Sequence, residues 1–191
     1  SRKMHFDADG IGLDGWKEAL EEHGTPTKLS EYVHMMKSLN LPNSVFADCT
    51  ASKEVVEHYA EILDASVSIS TPNKIACSGT FSTYNTLKRN ALKHGIKFLF
   101  ETNVGAGLPV ISTLNDLKVS GDRIIRIDGV LSGTLSYIFN QFSKDRSFSS
   151  VVKEAREKGF TEPDPREDLN GMDVARKILI LAREVGFPLE L

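Results

Sequence analysis

The sequence predicts an α/β protein: a parallel sheet with crossover helices, followed by an α+β region. Three observations carry this. Strand and helix patterns alternate over residues 44–101. Polar residues gather directly after each strand pattern, at Asp48, Cys49 and Thr50, at Thr71 to Lys74, and at Glu101 to Asn103. After Gly107 the alternation gives way to helix patterns around one mixed strand pattern. Parallel neighbours need long right-handed crossovers, and such sheets take their ligands at the carboxyl ends of the strands.

Taken in order, Asp14–His23 and Ser30–Leu39 have helical periodicity, with Gly24, Thr25 and Pro26 as the break between them. Ser44–Asp48 reads as a short buried strand, Lys53–Leu63 as a helix, and Ala65–Ser70 as the second strand. Thr80–His94 is a long helix stopped by Gly95, a natural residue just past a helix end. Ile96–Glu101 completes the strand set. Beyond it, Pro109–Leu117 is a helix with proline in its first position, and Arg123–Leu131 alternates as a strand. Gly133 and Thr134 open a helix running to about Phe142. Ser149–Lys158 is a helix closed by Gly159, and Met172–Val185 is the last helix. The strand at 123–131 needs partners that this segment does not itself supply. The boundary between the two parts falls at 108/109.

With 191 residues, the chain has enough material for one good core or two small ones. Its 40% hydrophobic and 26% charged content is that of an ordinary globular protein. A net charge of −3 with no basic block argues against a nucleic-acid partner. No apolar run approaches the ~20 residues of a membrane helix, and the first residues carry no apolar signal region. Cys49 and Cys77 each sit beside an apolar run without a metal-binding spacing, which predicts two buried thiols in a cytoplasmic protein. The five histidines form no ligand pair and are expected at the surface. The absence of an initiator methionine points to a fragment or a processed chain.

The densest chemistry lies in residues 155–177. Glu162, Asp164, Glu167, Asp168 and Asp173 surround two prolines and run into a helix that carries Lys177. Asp173 and Lys177 share one helix face. The pair can be a solvated ion pair worth roughly 0.2–0.5 kcal/mol, or a lysine that hands a proton to a substrate oxygen beside an orienting carboxylate. Carboxylates ending on a lysine suit a small substrate with an amino and a carboxylate group. A calcium loop is excluded: aligning Gly171 with the sixth position of such a loop puts Arg166 and Lys177 where carboxylates are needed. Lys74, after the second strand, is either solvated or faces a carboxylate or phosphate. Thr50, after the first strand, is either a turn residue or a donor to a nucleotide. The turn from Glu101 to Pro109 is either a tight connection between the two parts or a monovalent-cation site made of carbonyls and one carboxylate. It is no dinucleotide fingerprint, because Val110 stands where the third glycine belongs.

Four motifs in order, Thr71–Lys74, Glu101–Pro109, Leu131–Phe139 and Gly159–Lys177, resemble homoserine dehydrogenase. The spacing looks most like the dehydrogenase half of the fused aspartokinase–homoserine dehydrogenases of bacteria and plants, and the likeness runs over essentially all 191 residues. The resemblance implies a partial Rossmann-like NAD(P)-binding domain over 1–108 and a partial catalytic, substrate and dimerisation domain over 109–191. It implies reversible reduction of L-aspartate 4-semialdehyde to L-homoserine with NADH or NADPH, in threonine and methionine biosynthesis, by a homo-oligomer.

Carried over motif by motif, the resemblance makes Lys177 the general acid and base, with Asp173 and Lys74 as its catalytic companions. Glu162, Asp168, Asp173 and Thr134 become substrate contacts, with Glu162 on the amino group. Thr50, Lys74, Gly159 and Glu162 become cofactor contacts. Glu101 with the carbonyls of Val104, Ala106 and Leu108 becomes a sodium site. Arg2 would stand where a basic residue could meet a 2′-phosphate, a hint of NADPH use. The glycine-rich phosphate turn of the family is missing, so the segment alone is expected to hold cofactor poorly. A different reading, from another class, is a catalytically silent fragment serving dimerisation or regulation. A third is a cation-binding module built on Glu101 and the acidic loop.

Overall fold

The computed structural model describes residues 3–161 and 164–191. In chain order the elements are β1 (Lys3–Met4), α1 (Trp16–His23), β2 (Thr25–Pro26), α2 (Leu29–Leu39), β3 (Val45–Ala47), α3 (Lys53–Glu57), α4 (Tyr59–Asp64), β4 (Ser68–Ser70), α5 (Ile75–Ser78), α6 (Phe81–Lys93) and β5 (Phe98–Leu99). A 3₁₀ turn at Glu101–Asn103 follows, then α7 (Val110–Val119), α8 (Gly133–Gln141), α9 (Phe148–Glu157), α10 (Pro165–Leu169) and α11 (Met172–Glu184). The chain divides into two compact units: Ser1–Ser70 with Thr86–Leu99, and Thr71–Asn85 with Phe100–Leu191. The helix α6 carries residues of both.

The first unit is built on a parallel sheet of order β3-β4-β5, in which Phe46 pairs with Ile69 and Ile69 with Phe98. These three residues form one buried row. Tyr59 packs its ring edge-on against both Phe46 and Phe98, at centroid separations of 6.5 and 6.0 Å. Val33, Ile62, Leu63, Leu87 and Ala91 from the helices complete the core. Each large side chain so buried is worth about 1.5–3 kcal/mol. A short antiparallel pair, β1 with β2, lies apart from this sheet. The sheet confirms the parallel strand–helix alternation read from the sequence.

Three local expectations change. The helix expected over Lys53–Leu63 breaks at His58, whose N–H donates three residues back to the Val55 carbonyl. Tyr59 then starts α4 fully buried, its hydroxyl donating to Asp48 Oδ2 at 2.5 Å. Cys49, expected buried, is exposed, because β3 ends at Ala47 and the thiol stands in the following loop. Among the histidines, His23 and His34 are exposed, whereas His5, His58 and His94 are partly covered.

The second unit is helical among its described residues. The helices α8 and α9 form a hairpin around Ile138, Val151 and Ala155, with Tyr137, Val152 and Leu169 packed against them. Ser132 caps α8 by accepting the Leu135 N–H at 3.1 Å, and Ser147 caps α9 by accepting that of Ser150 at 3.3 Å. Lys158, Tyr137 and Arg146 converge on Glu154 and hold its carboxyl at about 2. The helix α11 packs on α5, α7 and α10, burying Leu179, Ile180 and Leu181.

The segment 123–131 is the main departure. It has no regular secondary structure and no ladder bonds among the described residues, and Ile125 is 92% exposed. A strand exists only when neighbours answer its N–H and C=O groups. The alternation in this segment is therefore a pattern without a local partner.

Candidate active site

Helix α11 sets the geometry. It begins at Gly171, whose φ of 74° is left-handed and suits glycine. Asp173 and Lys177 lie one turn apart, with Lys177 Nζ 2.6 Å from Asp173 Oδ2. Lys177 Nζ also donates to the Leu131 carbonyl at 2.7 Å, and its side chain is 19% exposed. The second Asp173 oxygen, Oδ1, meets Lys74 Nζ at 3.3 Å. Lys74 is the residue just before α5. One carboxylate thus holds two ammonium groups brought together from about a hundred residues apart.

The electrostatics follow from this arrangement. Burial pushes the Asp173 carboxyl up, but the hydrogen bond from Lys177 and the charges of Lys74 and Lys177 outweigh it, so the group sits below the usual carboxylate range. The aspartate is an anion at neutral pH. Two of the three Lys177 donors are taken by Asp173 and Leu131, so the ammonium keeps a proton for a third acceptor.

Thr134 and Gly159 are linked through one backbone group. Gly159 ends α9 at φ 72°, with its N–H on the Arg156 carbonyl and the Phe160 N–H on that of Ala155. The Phe160 carbonyl accepts the Thr134 hydroxyl at 2.5 Å. Asp168 is partly covered in α10. That helix interrupts the stretch expected as a loop, and Asp164 caps it while pairing with Arg166, which holds the Asp164 carboxyl at about 2. Glu162, expected on the substrate amino group, and Arg2 lie outside the described residues.

Thr50 belongs to the first unit, past the carboxyl end of β3. Its N–H donates to Asp48 Oδ1 at 2.7 Å, and its hydroxyl oxygen accepts the Ser52 N–H at 3.1 Å. That leaves the exposed hydroxyl hydrogen to be donated to an incoming oxygen. Hydroxyls and backbone groups at parallel-strand ends fit a nucleotide.

The Glu101 turn has a structural task. Its two carboxylate oxygens accept the N–H groups of Ile111 and Ser112, at 2.7 and 2.8 Å, and so cap α7. Gly105 and Ala106 are left-handed, at φ 81° and 51°, which lets the chain fold back over Val104 to Leu108. The Leu108 carbonyl accepts the Val110 N–H at 2.9 Å. A carboxylate has about four lone-pair positions, so Glu101 retains capacity for a cation. Among the described residues, no cluster of three His, Cys, Asp or Glu side chains could hold a metal.

Sequence reasoning missed the Leu131 carbonyl as the partner that aims Lys177. It also passed over Arg183 and Glu184, both buried at the far end of α11. A signal was present: they stand four residues after Leu179 and Ile180, on the apolar stripe of the helix.

A parallel sheet with crossover helices defines an α/β protein of Rossmann-like architecture, and its second unit carries a Lys–Asp–Lys cluster. Family models agree. Residues 4–101 match the homoserine dehydrogenase NAD-binding domain, and residues 109–191 match homoserine dehydrogenase. The chain belongs to the homoserine dehydrogenase family. It is 49% identical to a chloroplastic bifunctional aspartokinase/homoserine dehydrogenase 1 of Zea mays, covering 100% of this chain and 21% of that protein. Among solved structures, a Candida auris protein of unknown function superposes with a TM-score of 0.90 at 37% identity, covering 100% of this chain and 54% of that one. A hyperthermophilic archaeal homoserine dehydrogenase in complex with NADPH gives 0.73 at 24% identity, covering 91% and 54%. That last likeness concerns the fold. The chain spans about a fifth of the length of the plant relative it matches.

Proposed function

We propose that this chain carries the catalytic residues of an NAD(P)-dependent homoserine dehydrogenase interconverting L-homoserine and L-aspartate 4-semialdehyde, as in threonine and methionine biosynthesis. The observation that carries the reading is the Asp173 carboxylate gripping Lys74 and Lys177 together. Bound NAD(P)H would supply the hydride. Thr50, Lys74, Gly159 and Glu162 are the residues assigned to hold the cofactor.

The chain's own residues handle the proton. In aldehyde reduction, a Lys177 N–H protonates the carbonyl oxygen as it gains negative charge. In alcohol oxidation, the same nitrogen takes the hydroxyl proton. Asp173 and the Leu131 carbonyl fix the direction of the ammonium. Asp168 and Glu162 select the substrate ammonium by charge, and Thr134 is assigned as a further substrate contact. Lys74 lies between the nucleotide and substrate positions. Two free cysteines support a reducing, cytoplasmic setting, and among the described residues no helix is long and apolar enough to cross a membrane.

A sodium ion at Glu101 and the Val104, Ala106 and Leu108 carbonyls is part of this proposal, as is a homo-oligomer. The segment 123–131 supports the latter. Its apolar Ile125 and Val130 are 92% and 77% exposed, and it forms no ladder among the described residues. The domain limits 1–108 and 109–191 belong to the proposal too.

The test is homoserine-dependent reduction of NADP⁺ or NAD⁺ by the parent polypeptide, followed at the nicotinamide absorbance beside its Lys177→Ala variant. Turnover that collapses in the variant with homoserine affinity kept supports the reading. A folded parent inert with both nucleotides refutes it, and a silent assembly module would then be the better account.

A further inference from the structure

The far end of α11 holds an arginine that the reaction does not use. The Arg183 side chain is 0% exposed. Its Nη1 donates to the Cys77 carbonyl at 2.8 Å. Nε and Nη2 both reach the Leu189 carbonyl, at 3.1 and 2.8 Å, and Nη2 reaches Glu190 Oε2 at 2.9 Å. The guanidinium lies 5.8 and 5.6 Å from the ring centroids of Phe81 and Tyr84. The Tyr84 hydroxyl is itself bonded to Glu184. This side chain has one orientation open to it.

Its partner on Cys77 matters more than the others. Cys77 belongs to α5, a helix of four residues that cannot stand by itself in water. The last carbonyls of such a helix have no partner within it, and a cation at that end is favourable. The residue just before α5, at its N-terminal cap, is Lys74. Its carbonyl accepts the N–H groups of Cys77 and Ser78, at 3.1 and 2.8 Å, and the Ser78 hydroxyl at 2.8 Å. One short turn therefore separates the Arg183 anchor from the backbone of Lys74. Lys74 in turn meets Asp173 on the same helix that carries Arg183. The α5 turn is tied to α11 at two places, and Arg183 is the buried one.

We propose that Arg183 is a positioning residue: through the Cys77 carbonyl it sets α5 along α11 and thereby places the Lys74 ammonium on Asp173. The proposal rests on the dehydrogenase reading above. Arg183 touches no substrate, and its effect reaches the reaction only through Lys74.

A double-mutant cycle in the parent polypeptide tests this, with kcat and KM for homoserine and the thermal midpoint measured on Arg183→Gln, Lys74→Ala and the double variant. Misplacing a catalytic group by a fraction of an ångström costs on the order of ten- to a hundredfold in rate, and R183Q is expected to lose that much in kcat/KM. In the Lys74→Ala background the same change should cost less than about twofold, while the drop in thermal midpoint is the same in both backgrounds. Arg183→Lys, which keeps charge but not the fork, should fall between wild type and R183Q, and it serves in the cycle if R183Q does not fold. Glu190→Ala removes the Glu190 carboxylate from Arg183 and from the Phe81 N–H while sparing the Cys77 bond, and should keep kcat/KM within about twofold of wild type.

An equal rate loss from R183Q in both Lys74 backgrounds would show that Arg183 acts independently of Lys74 and overturn the proposal. So would a Glu190→Ala loss as large as that of R183Q. A parent active with homoserine but indifferent to Lys74→Ala also overturns it, leaving the dehydrogenase reading in place. An inert, folded parent removes that reading and the positioning role with it.

Discussion

The two ends of α11 put the same chemistry to opposite uses. Near its start, Asp173 and Lys177 form an ion pair with 47% and 19% of their side chains exposed. Near its finish, Arg183 and Glu184 are buried, at 3% and 1%. The finish is saturated. Arg183 is bonded to Cys77, Leu189 and Glu190, Glu184 accepts the Tyr84 hydroxyl, and the Glu184 carbonyl accepts Lys118. Burial and the charge and hydrogen bond of Glu184 push the Tyr84 phenol far up, so it stays a donor. The start has part of its surface exposed, which suits the proposed proton transfer by Lys177. A charge that must act on a substrate has to stay partly solvated. A charge that must hold a fold has to use every donor, because an unpaired one costs more than its bond returns.

The comparison is broken most sharply at the exposed end. Lys177→Ala should lower kcat on the order of 10²- to 10⁴-fold, the range for a general acid–base residue, with a thermal midpoint close to wild type. A large stability loss with little change in kcat would reverse the roles assigned to the two ends. Asp173→Asn keeps the shape but releases both lysines. A loss in kcat/KM on the order of ten- to a hundredfold is expected from misdirected ammonium groups, read in the same nicotinamide assay. At the buried end, Glu184→Ala strands the Tyr84 hydroxyl and should cost about 1–3 kcal/mol of unfolding free energy by urea titration, while KM for homoserine is unchanged.

The smallest effect sharpens the comparison through pH. The Asp173 carboxyl is held below its ordinary 3.8, so its pairs contribute stability in full above that pH and lose it as pH falls through the lower folded value. The difference in urea midpoint between wild type and Asp173→Asn should therefore be constant from neutrality down to about pH 4 and shrink below it. A difference that shrinks on going to alkaline pH instead would mean that Asp173 is not the anion of the pair.

Much of this was legible before any coordinates. Asp173 and Lys177 were found together because helical periodicity places residues four apart on one face, and the parallel sheet followed from alternating patterns whose hydrophobic runs have the right length. The sequence read less well where the answer depended on a distant partner. Arg123–Leu131 alternates as a strand should, but a ladder needs a second strand, and none lies beside it among the described residues. Cys49 follows an apolar run and reads as buried, whereas the strand ends two residues earlier. The stretch after Gly159 read as an acidic loop, yet Asp164 and Pro165 start a short helix there, a capping signal that the density of charge obscured.

By itself, then, the sequence determined the local elements, the family and the residue types of the site, because periodicity, caps and motifs act over a few residues. The tertiary structure decided which charges meet. It set Lys74 on Asp173, aimed Lys177 with the Leu131 carbonyl, and made Arg183 a buried tie to Cys77. The physical reason is range. Helical and turn preferences are paid within one or two turns of chain, whereas the value of a charge depends on burial and on partners that only packing brings near.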